Sequence, residues 1–243
     1  MTQLANKPTL VLLHPGGVLH SVWMPFIRRW QSQYHILAPD LQPQQLLSIS
    51  QLAAQVAALI QSETRRPVWL VGASLGANVA LQIATTMPHQ VAGLVLDSAQ
   101  VGGVPPTAVR RAIQIVKILV KLIPQRLVTR LLLTQFKGYE TADQLLIRQE
   151  LNQVGKIGFI NHIEAHFDYD VSHSLNQIQV PTLILAGEKD RLTQTGEPNK
   201  LQTGIPAAQL IIIPQAGHVT FLTEPARFQQ AVTDFLLHSR ERE

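Results

Sequence analysis

Residues 68–81 read Val-Trp-Leu-Val-Gly-Ala-Ser-Leu-Gly-Ala-Asn-Val-Ala-Leu, and the interpretation of the whole chain starts from them. An apolar run breaks at Gly72, and apolar residues recur at helical spacing from Leu75, which predicts a strand, a tight turn and a helix. Ser74 lies at the turn, between two glycines that allow the close backbone approach of a sharp reversal. A glycine-rich turn with an incidental serine is the alternative, but the flanking strand and helix favour a serine with an exposed hydroxyl.

Length and composition indicate one well-buried domain, residues 1–243. Of the 243 residues, 46% are hydrophobic and 15% are charged, a composition that excludes a disordered protein. No apolar run reaches the length of a transmembrane helix. We therefore expect a soluble globular protein without stable membrane insertion.

The amino terminus, the cysteine count and the charge bear on location and partners. Residues 1–8 show no basic segment followed by an apolar stretch, so a secretory signal is not apparent and a cytoplasmic location is expected. The absence of cysteine excludes disulfides, thiolate metal sites and a cysteine nucleophile. The net charge is +4, but only 5% of residues are aromatic, so no nucleic-acid partner is expected.

Apolar runs of strand length recur along the chain. They are residues 9–13, 35–38, 68–71, 91–96, 182–186 and 209–213. The first run ends in His14-Pro15-Gly16-Gly17, a glycine-rich loop expected beside the Ser74 turn, and Ser48 or Ser50 can cap the helix that follows the second. Strands that alternate with helices predict an α/β fold, a mostly parallel sheet with helices on both faces.

The alternation stops between residues 101 and 174, where the pattern is helical. Pro124 marks a break between two helices within 110–133, and residues 142–153 supply another helix. The flanks do not have the composition of linkers. We therefore expect a helical cap over the edge of the sheet, inserted into the same domain.

The first part of this insertion is basic. The first acidic residue of the insertion is Glu140, and all the cations of this part come before it. These cations are Arg110, Arg111, Lys117, Lys121, Arg126, Arg130 and Lys137. A solvated helix face is the favoured explanation, and an acidic ligand or an anionic membrane surface is the alternative. We expect the charges to lie at the rim of the pocket or in solvent, while apolar residues of the same helix pack inward. Those apolar residues are Ile113, Val116, Leu119 and Val120.

A serine hydroxyl is a poor nucleophile at neutral pH, so Ser74 would need a base, and the base would need an acid that holds its tautomer. His218 and Asp190 are the candidates, because each lies in a loop directly after a predicted strand. The carboxyl ends of parallel strands meet at one edge of the sheet, where Ser74 also projects. We therefore expect the three side chains to converge.

These motifs resemble the α/β-hydrolase superfamily over nearly the whole chain. The segments that carry the resemblance are Leu10-Val11-Leu12-Leu13-His14, Gly72-Ala73-Ser74-Leu75-Gly76, residues 181–190 and Ala216-Gly217-His218. The order serine, aspartate, histidine is also that of the superfamily. The resemblance implies that Ser74 is the catalytic nucleophile, His218 the base and Asp190 the acid. It also implies an oxyanion hole made by the backbone amides of Leu75 and of a residue in the loop after His14.

Two departures from the superfamily pattern affect these expectations. The family usually has His-Gly where this chain has His14-Pro15, and proline has no amide, so Gly16 is the expected second oxyanion donor, with Gly17 as the alternative. The family also commonly begins with a hairpin, for which the residues before Leu10 leave little room. The expected sheet therefore has about six strands, and the cap follows the sixth strand of the family pattern.

Two other arrangements remain open. Asp97 follows the strand after Ser74 and could supply the acid in a permuted triad, although an Asp-Ser pair more simply caps or turns the chain. His162 and His166 lie one helical turn apart, as zinc ligands can. Glu164 between them does not match the His-Glu-x-x-His order of zinc metalloproteases, so no metal is expected.

The resemblance implies a carboxylesterase-like serine hydrolase that needs no cofactor. Its substrate would be a small molecule with an ester, thioester or similar acyl bond, and the enzyme would be a monomer or a homodimer. Proteins of this fold also include lyases and carbon–carbon bond hydrolases that use the same triad, and receptors that only bind a small ligand. Fold does not choose among these alternatives.

Overall fold

The computed structural model describes residues 7–102, 107–136, 140–193 and 196–240. The strands in these ranges are β1 (Thr9–Leu13), β2 (His35–Leu37), β3 (Val68–Ala73), β4 (Val91–Asp97), β5 (Thr182–Gly187) and β6 (Ala208–Ile213). They form one sheet in the order β2-β1-β3-β4-β5-β6, with every neighbouring pair parallel. The expectation of a parallel sheet of about six strands is confirmed.

Helices cover both faces of the sheet, as expected. They are α1 (Met24–Trp30), α2 (Ile49–Glu63), α3 (Leu75–Thr86), α4 (Thr107–Leu122), α5 (Gln125–Leu133), α6 (Thr141–Glu164), α7 (Glu197–Gly204), α8 (Thr220–Thr223) and α9 (Pro225–Arg240). Side chains of β1 alternate between two cores, since Val11 packs with residues of α2 and α3, whereas Leu12 packs with residues of α1 and α9. Both positions are fully buried, which explains the unbroken apolar run of this strand.

Local sequence sets several helix ends. Ser48 caps α2 through a capping box, in which Ser48 Oγ accepts the Gln51 amide at 3.2 Å and Gln51 Oε1 accepts the Ser48 amide at 2.9 Å. Pro124 separates α4 from α5, as predicted. The helix predicted over 142–153 extends to Glu164, with one break at Gly155, where φ is 62°.

The helices α4, α5 and α6 lie between β4 and β5. An antiparallel bridge between Gly102 and Asp170 joins the two ends of this insertion. Among the described residues, no helix is both long and apolar enough to cross a membrane. Because all six strands are parallel, the loops that follow β1, β3, β5 and β6 meet at one edge of the sheet.

Candidate active site

Ser74 lies between β3 and α3 in a strained turn. Its backbone has φ 50° and ψ −111°, a conformation that costs a residue with a side chain about 1–3 kcal/mol. The surrounding structure compensates for this strain, since the Ser74 amide donates to the Asp97 carbonyl at 2.8 Å and the Ser74 carbonyl accepts from Asn78 at 3.0 Å. In this turn the Ser74 side chain makes no capping hydrogen bond to α3.

Two glycines permit this turn by their lack of a side chain. A Cβ on Gly72 would collide with the Gly76 carbonyl, and a Cβ on Gly76 would collide with the Leu13 carbonyl. The strand, the turn and the end of β1 therefore pack backbone against backbone, which confirms the structural reason given for the glycine spacing around Ser74.

His218 lies between Ser74 and Asp190. Its Nε2 atom is 3.0 Å from Ser74 Oγ, and its Nδ1 atom is 3.0 Å from Asp190 Oδ2. Only 19% of the His218 side chain and 7% of the Asp190 side chain are exposed, so water screens this pair little. The loops after β3, β5 and β6 thus bring together the three residues that the sequence pattern selected.

The loop after Asp190 holds its carboxylate. Asp190 Oδ1 accepts the amides of Leu192 at 2.8 Å and Thr193 at 3.1 Å, and Thr193 Oγ1 donates to Asp190 Oδ2 at 2.6 Å. Burial raises the pKa of Asp190, but hydrogen bonds from His218, Thr193 and Leu192 outweigh it and lower the pKa well below the usual range. Thr193 was not among the residues predicted from the sequence, although the turn pattern Asp-x-x-Thr at 190–193 indicates such a contact.

Among the hydrogen bonds of the described residues none joins Asp97 to His218, so the structure does not place Asp97 as the acid of a permuted triad. Its carboxylate accepts the amides of Thr220 at 3.1 Å and Phe221 at 3.4 Å, and it also accepts the Ser98 hydroxyl at 3.2 Å. Complete burial raises the pKa of Asp97 to about 6, while the hydrogen bonds oppose the rise. Asp97 thus secures the backbone that follows His218.

His14 shapes the loop after β1. It is fully buried, its Nδ1 atom donates to the Pro15 carbonyl at 2.8 Å, and its Nε2 atom accepts the Leu41 amide at 2.9 Å. Burial, with a smaller effect of the neighbouring His162, lowers the pKa of His14 to about 3, so the ring is neutral at neutral pH. The loop is adjacent to α3, because a Cβ built on Gly16 would lie 3.9 Å from that of Leu75.

His162 of α6 reaches the same loop. Its Nδ1 atom accepts the Gly17 amide at 3.0 Å, and its Nε2 atom donates to the Leu41 carbonyl at 2.9 Å. Burial lowers the pKa of His162 to about 4, which keeps the ring neutral and able to accept. Both ring nitrogens are therefore occupied by the backbone, and the zinc alternative for His162 and His166 has no support in this geometry. From the sequence His162 was a candidate only as a metal ligand, and its contact with the Gly17 amide was not predicted.

The backbone amides of Gly16 and Gly17, in the loop after β1, differ in their hydrogen-bond partners. Gly17, whose φ of 88° suits glycine, directs its amide to His162. Among the hydrogen bonds of the described residues, none has the amide of Gly16 or Leu75 as its donor. These two amides are the positions that the sequence analysis expected to form an oxyanion hole.

The helix α4 has the opposite orientation to the one expected from its sequence. Lys117 Nζ lies 2.5 Å from Glu164 Oε2, and Arg110 donates to the Phe167 carbonyl at 2.7 Å, so these cations point toward α6 and the segment after it. Val116 and Leu119, which were expected to pack inward, are 49% and 54% exposed. Side chains of Ile113, Val120 and Lys121, and all of Lys137, lie outside the described residues.

A cavity of about 590 Å³ lies elsewhere, between β6 and α9. Its lining includes Ala208, Ile211, Asp234, Phe235 and His238. It shares no lining residue with the Ser74 site, so the chemistry of that site gives the cavity no role.

Known proteins resemble the chain over nearly its full length. The model of the Alpha/beta hydrolase family matches residues 10–231. The pimeloyl-[acyl-carrier protein] methyl ester esterase of Nitrosomonas europaea is 27% identical over 247 residues, which cover 92% of this chain and 93% of the relative. The pyrrolizixenacetamide deacetylase of Xenorhabdus hominickii is 24% identical over 245 residues, which cover 95% and 91%. A thermophilic esterase of Thermogutta terrifontis shares the fold, with a TM-score of 0.79 at 19% identity and coverage of 96% and 90%.

Proposed function

Since the chain belongs to the alpha/beta hydrolase family and is a hydrolase, we propose that it cleaves an ester, thioester or similar acyl bond of a small molecule through an acyl-enzyme at Ser74. The observation that carries this proposal is the chain of contacts from Ser74 through His218 to Asp190, with both distances at 3.0 Å. A nucleophile, a base and an acid that orients the base are the groups that acyl transfer requires.

The first half of the reaction forms the acyl-enzyme. His218 Nε2 takes the proton of Ser74 Oγ while Oγ bonds to the acyl carbon, and the carbonyl π electrons move to the oxygen. Asp190, ionised because its pKa is low, stabilises the imidazolium that results. The tetrahedral intermediate then expels the alcohol or thiol, which takes the proton from Nε2. In the second half of the reaction a water molecule attacks the acyl-enzyme by the same steps, with His218 taking its proton. The carboxylic acid of the substrate is released and Ser74 Oγ regains its proton.

The amides of Leu75 and Gly16 are the proposed oxyanion donors. Leu75 is the first residue of α3, so its amide is also favoured by the positive end of the helix dipole. Three facts support Gly16: its amide donates to no group of the described residues, Pro15 has no amide, and the Gly17 amide donates to His162. Donors fixed before the reaction are effective because they need no reorganisation when charge develops on the oxygen.

Labelling with a fluorophosphonate tests the proposal. We expect one adduct on the intact protein, at Ser74 by peptide mass spectrometry, because His218 can deprotonate only a hydroxyl within hydrogen-bond reach. Labelling should disappear in His218→Ala, whereas Ser62→Ala, an exposed helical serine, should label at the normal rate. An adduct at another residue, or equal labelling of the His218 variant, would contradict the proposal.

The role of His162 is tested by two substitutions that each keep one of its contacts. Asparagine at 162 can keep an acceptor near Nδ1 for the Gly17 amide, while glutamine can keep a donor near Nε2 for the Leu41 carbonyl. Removing an oxyanion donor costs kcat about 100-fold or more. We therefore expect His162→Gln to lower kcat by roughly 10- to 100-fold as the loop loosens, with little change in KM, and His162→Asn to lower it much less.

Steady-state kinetics on a short-chain ester, together with thermal unfolding, distinguish this positioning role from simple packing. If both variants lost kcat equally, in step with a loss of stability, His162 would be a structural residue only.

A further inference from the structure

One side of α4 carries large apolar side chains that the described residues of the protein leave exposed. Ile115, Ile118, Leu119 and Leu122 are all more than half exposed, and Leu122 is 78% exposed. Isolated apolar residues are normal on protein surfaces, but a contiguous stripe marks a surface that contacts another apolar phase.

The polar side of the same helix faces the protein. Lys117 and Gln114 both bind Glu164, at 2.5 Å and 2.8 Å, and Arg110 binds Asp168 at 2.8 Å. Glu164 is buried, so its pairing with Lys117 holds α4 in this orientation. The apolar stripe is therefore turned outward by specific contacts.

The helix α5 continues the same surface. Its inner side is secured by Thr129, which is buried and donates to Asn152 at 2.7 Å. Its outer side exposes Leu127 and Leu131, at 57% and 70%, and each of these leucines directly follows an exposed arginine, Arg126 or Arg130. Apolar and cationic side chains thus alternate on one face.

The charge of this surface has one sign. Between Asp97 and Glu140 the chain has no acidic residue, and among the side chains that the structure describes the exposed cations of the two helices are Arg111, Arg126 and Arg130. Apolar residues flanked by arginines match the layers of an anionic bilayer, where the apolar groups enter the acyl boundary and the guanidinium groups meet phosphates.

We propose that this α4–α5 face binds the surface of an anionic lipid membrane, with both helices lying in the plane of the interface. The face comprises Ile115, Ile118, Leu119, Leu122, Leu127 and Leu131 with Arg111, Arg126 and Arg130. A second copy of the chain fits it less well, because a two-fold contact would place its exposed arginines against each other without a carboxylate from either helix. The inference does not depend on the chemistry proposed for Ser74.

Co-sedimentation of the full chain with vesicles tests this proposal. Vesicles of phosphatidylcholine with about one-third phosphatidylserine should bind the protein, and pure phosphatidylcholine should bind it much less. Each cation near such a surface contributes about 1 kcal/mol, so Arg126→Gln/Arg130→Gln should weaken binding roughly 30-fold. Ile118→Gln/Leu122→Gln should also weaken it strongly. Leu46→Gln/Leu237→Gln, which changes exposed leucines elsewhere, should bind as the wild type does.

Three results would overturn the proposal. Equal binding to the two vesicle types would show that charge does not drive binding. Equal weakening by the control pair would show that the α4–α5 face is not the binding surface. A dimer in light scattering that Ile118→Gln/Leu122→Gln dissociates, with no vesicle binding by the wild type, would assign the face to a second copy. The arginine variants keep the apolar stripe, so they give an answer even if the glutamine pair unfolds.

Discussion

Replacing Ser74 with alanine is expected to lower kcat for ester hydrolysis by about a million-fold, and the proposed oxyanion donors, which the substitution keeps, leave only a small residual rate above the uncatalysed reaction. Without Oγ no acyl-enzyme can form, and His218 has no hydroxyl to deprotonate. The strained turn is retained in the alanine variant only if the contacts of Gly72, Gly76 and Asp97 still hold the backbone at position 74. Circular dichroism and thermal unfolding will show whether the variant keeps its fold.

The measurement is steady-state hydrolysis of a chromogenic ester, with active-site titration of the wild type for the enzyme concentration. Ser62→Ala is the matched control, since its hydroxyl bonds only to the Leu59 carbonyl within α2. A Ser74 variant that folds normally and retains more than about a hundredth of the wild-type kcat would show that the nucleophile is another group.

Replacing Asp190 with asparagine is expected to lower kcat by about 10,000-fold while the fold stays intact. The carboxylate accepts a hydrogen bond from the Nδ1–H of His218, which leaves Nε2 unprotonated and able to accept a hydrogen bond from Ser74. An asparagine amide can instead donate a hydrogen bond to Nδ1, which favours the histidine tautomer with its proton on Nε2. In that tautomer Nε2 cannot accept the proton of Ser74.

Asp97→Asn provides the contrast to Asp190→Asn. Asp97 accepts hydrogen bonds from the amides of Thr220 and Phe221, whereas the hydrogen bond to the imidazole is made by Asp190. We therefore expect Asp97→Asn to cause mainly a loss of stability, by about 1–3 kcal/mol, because a buried hydrogen-bond group is weakened. Turnover should fall far less than in the Asp190 variant. Kinetics and thermal unfolding of the two variants in parallel separate the roles, and the reverse order of kcat would assign the acid to Asp97.

Local sequence determined the strands and the turn at Ser74. The runs at 9–13 and 68–71 are apolar without alternation because both faces of the covered parallel sheet are buried at these two inner strands, and the sequence of each strand by itself shows that requirement. The glycine spacing around Ser74 is equally local. The group that a Cβ on Gly72 would meet lies only four residues away, in Gly76, although a Cβ on Gly76 would meet the end of β1. Parallel topology then places Asp190 and His218 at the same edge without knowledge of their contacts.

Tertiary structure alone decided which side chains support that site. His162 and Gly17 are separated by 145 positions, and no periodicity indicates that a histidine of an inserted helix will accept an amide of the first loop. The orientation of α4 is a similar case. Its sequence defines an apolar side and a basic side, but not which of them faces the protein. Buried Glu164 decided it, because an unpaired carboxylate there would be costly and Lys117 of α4 is the cation that pairs with it.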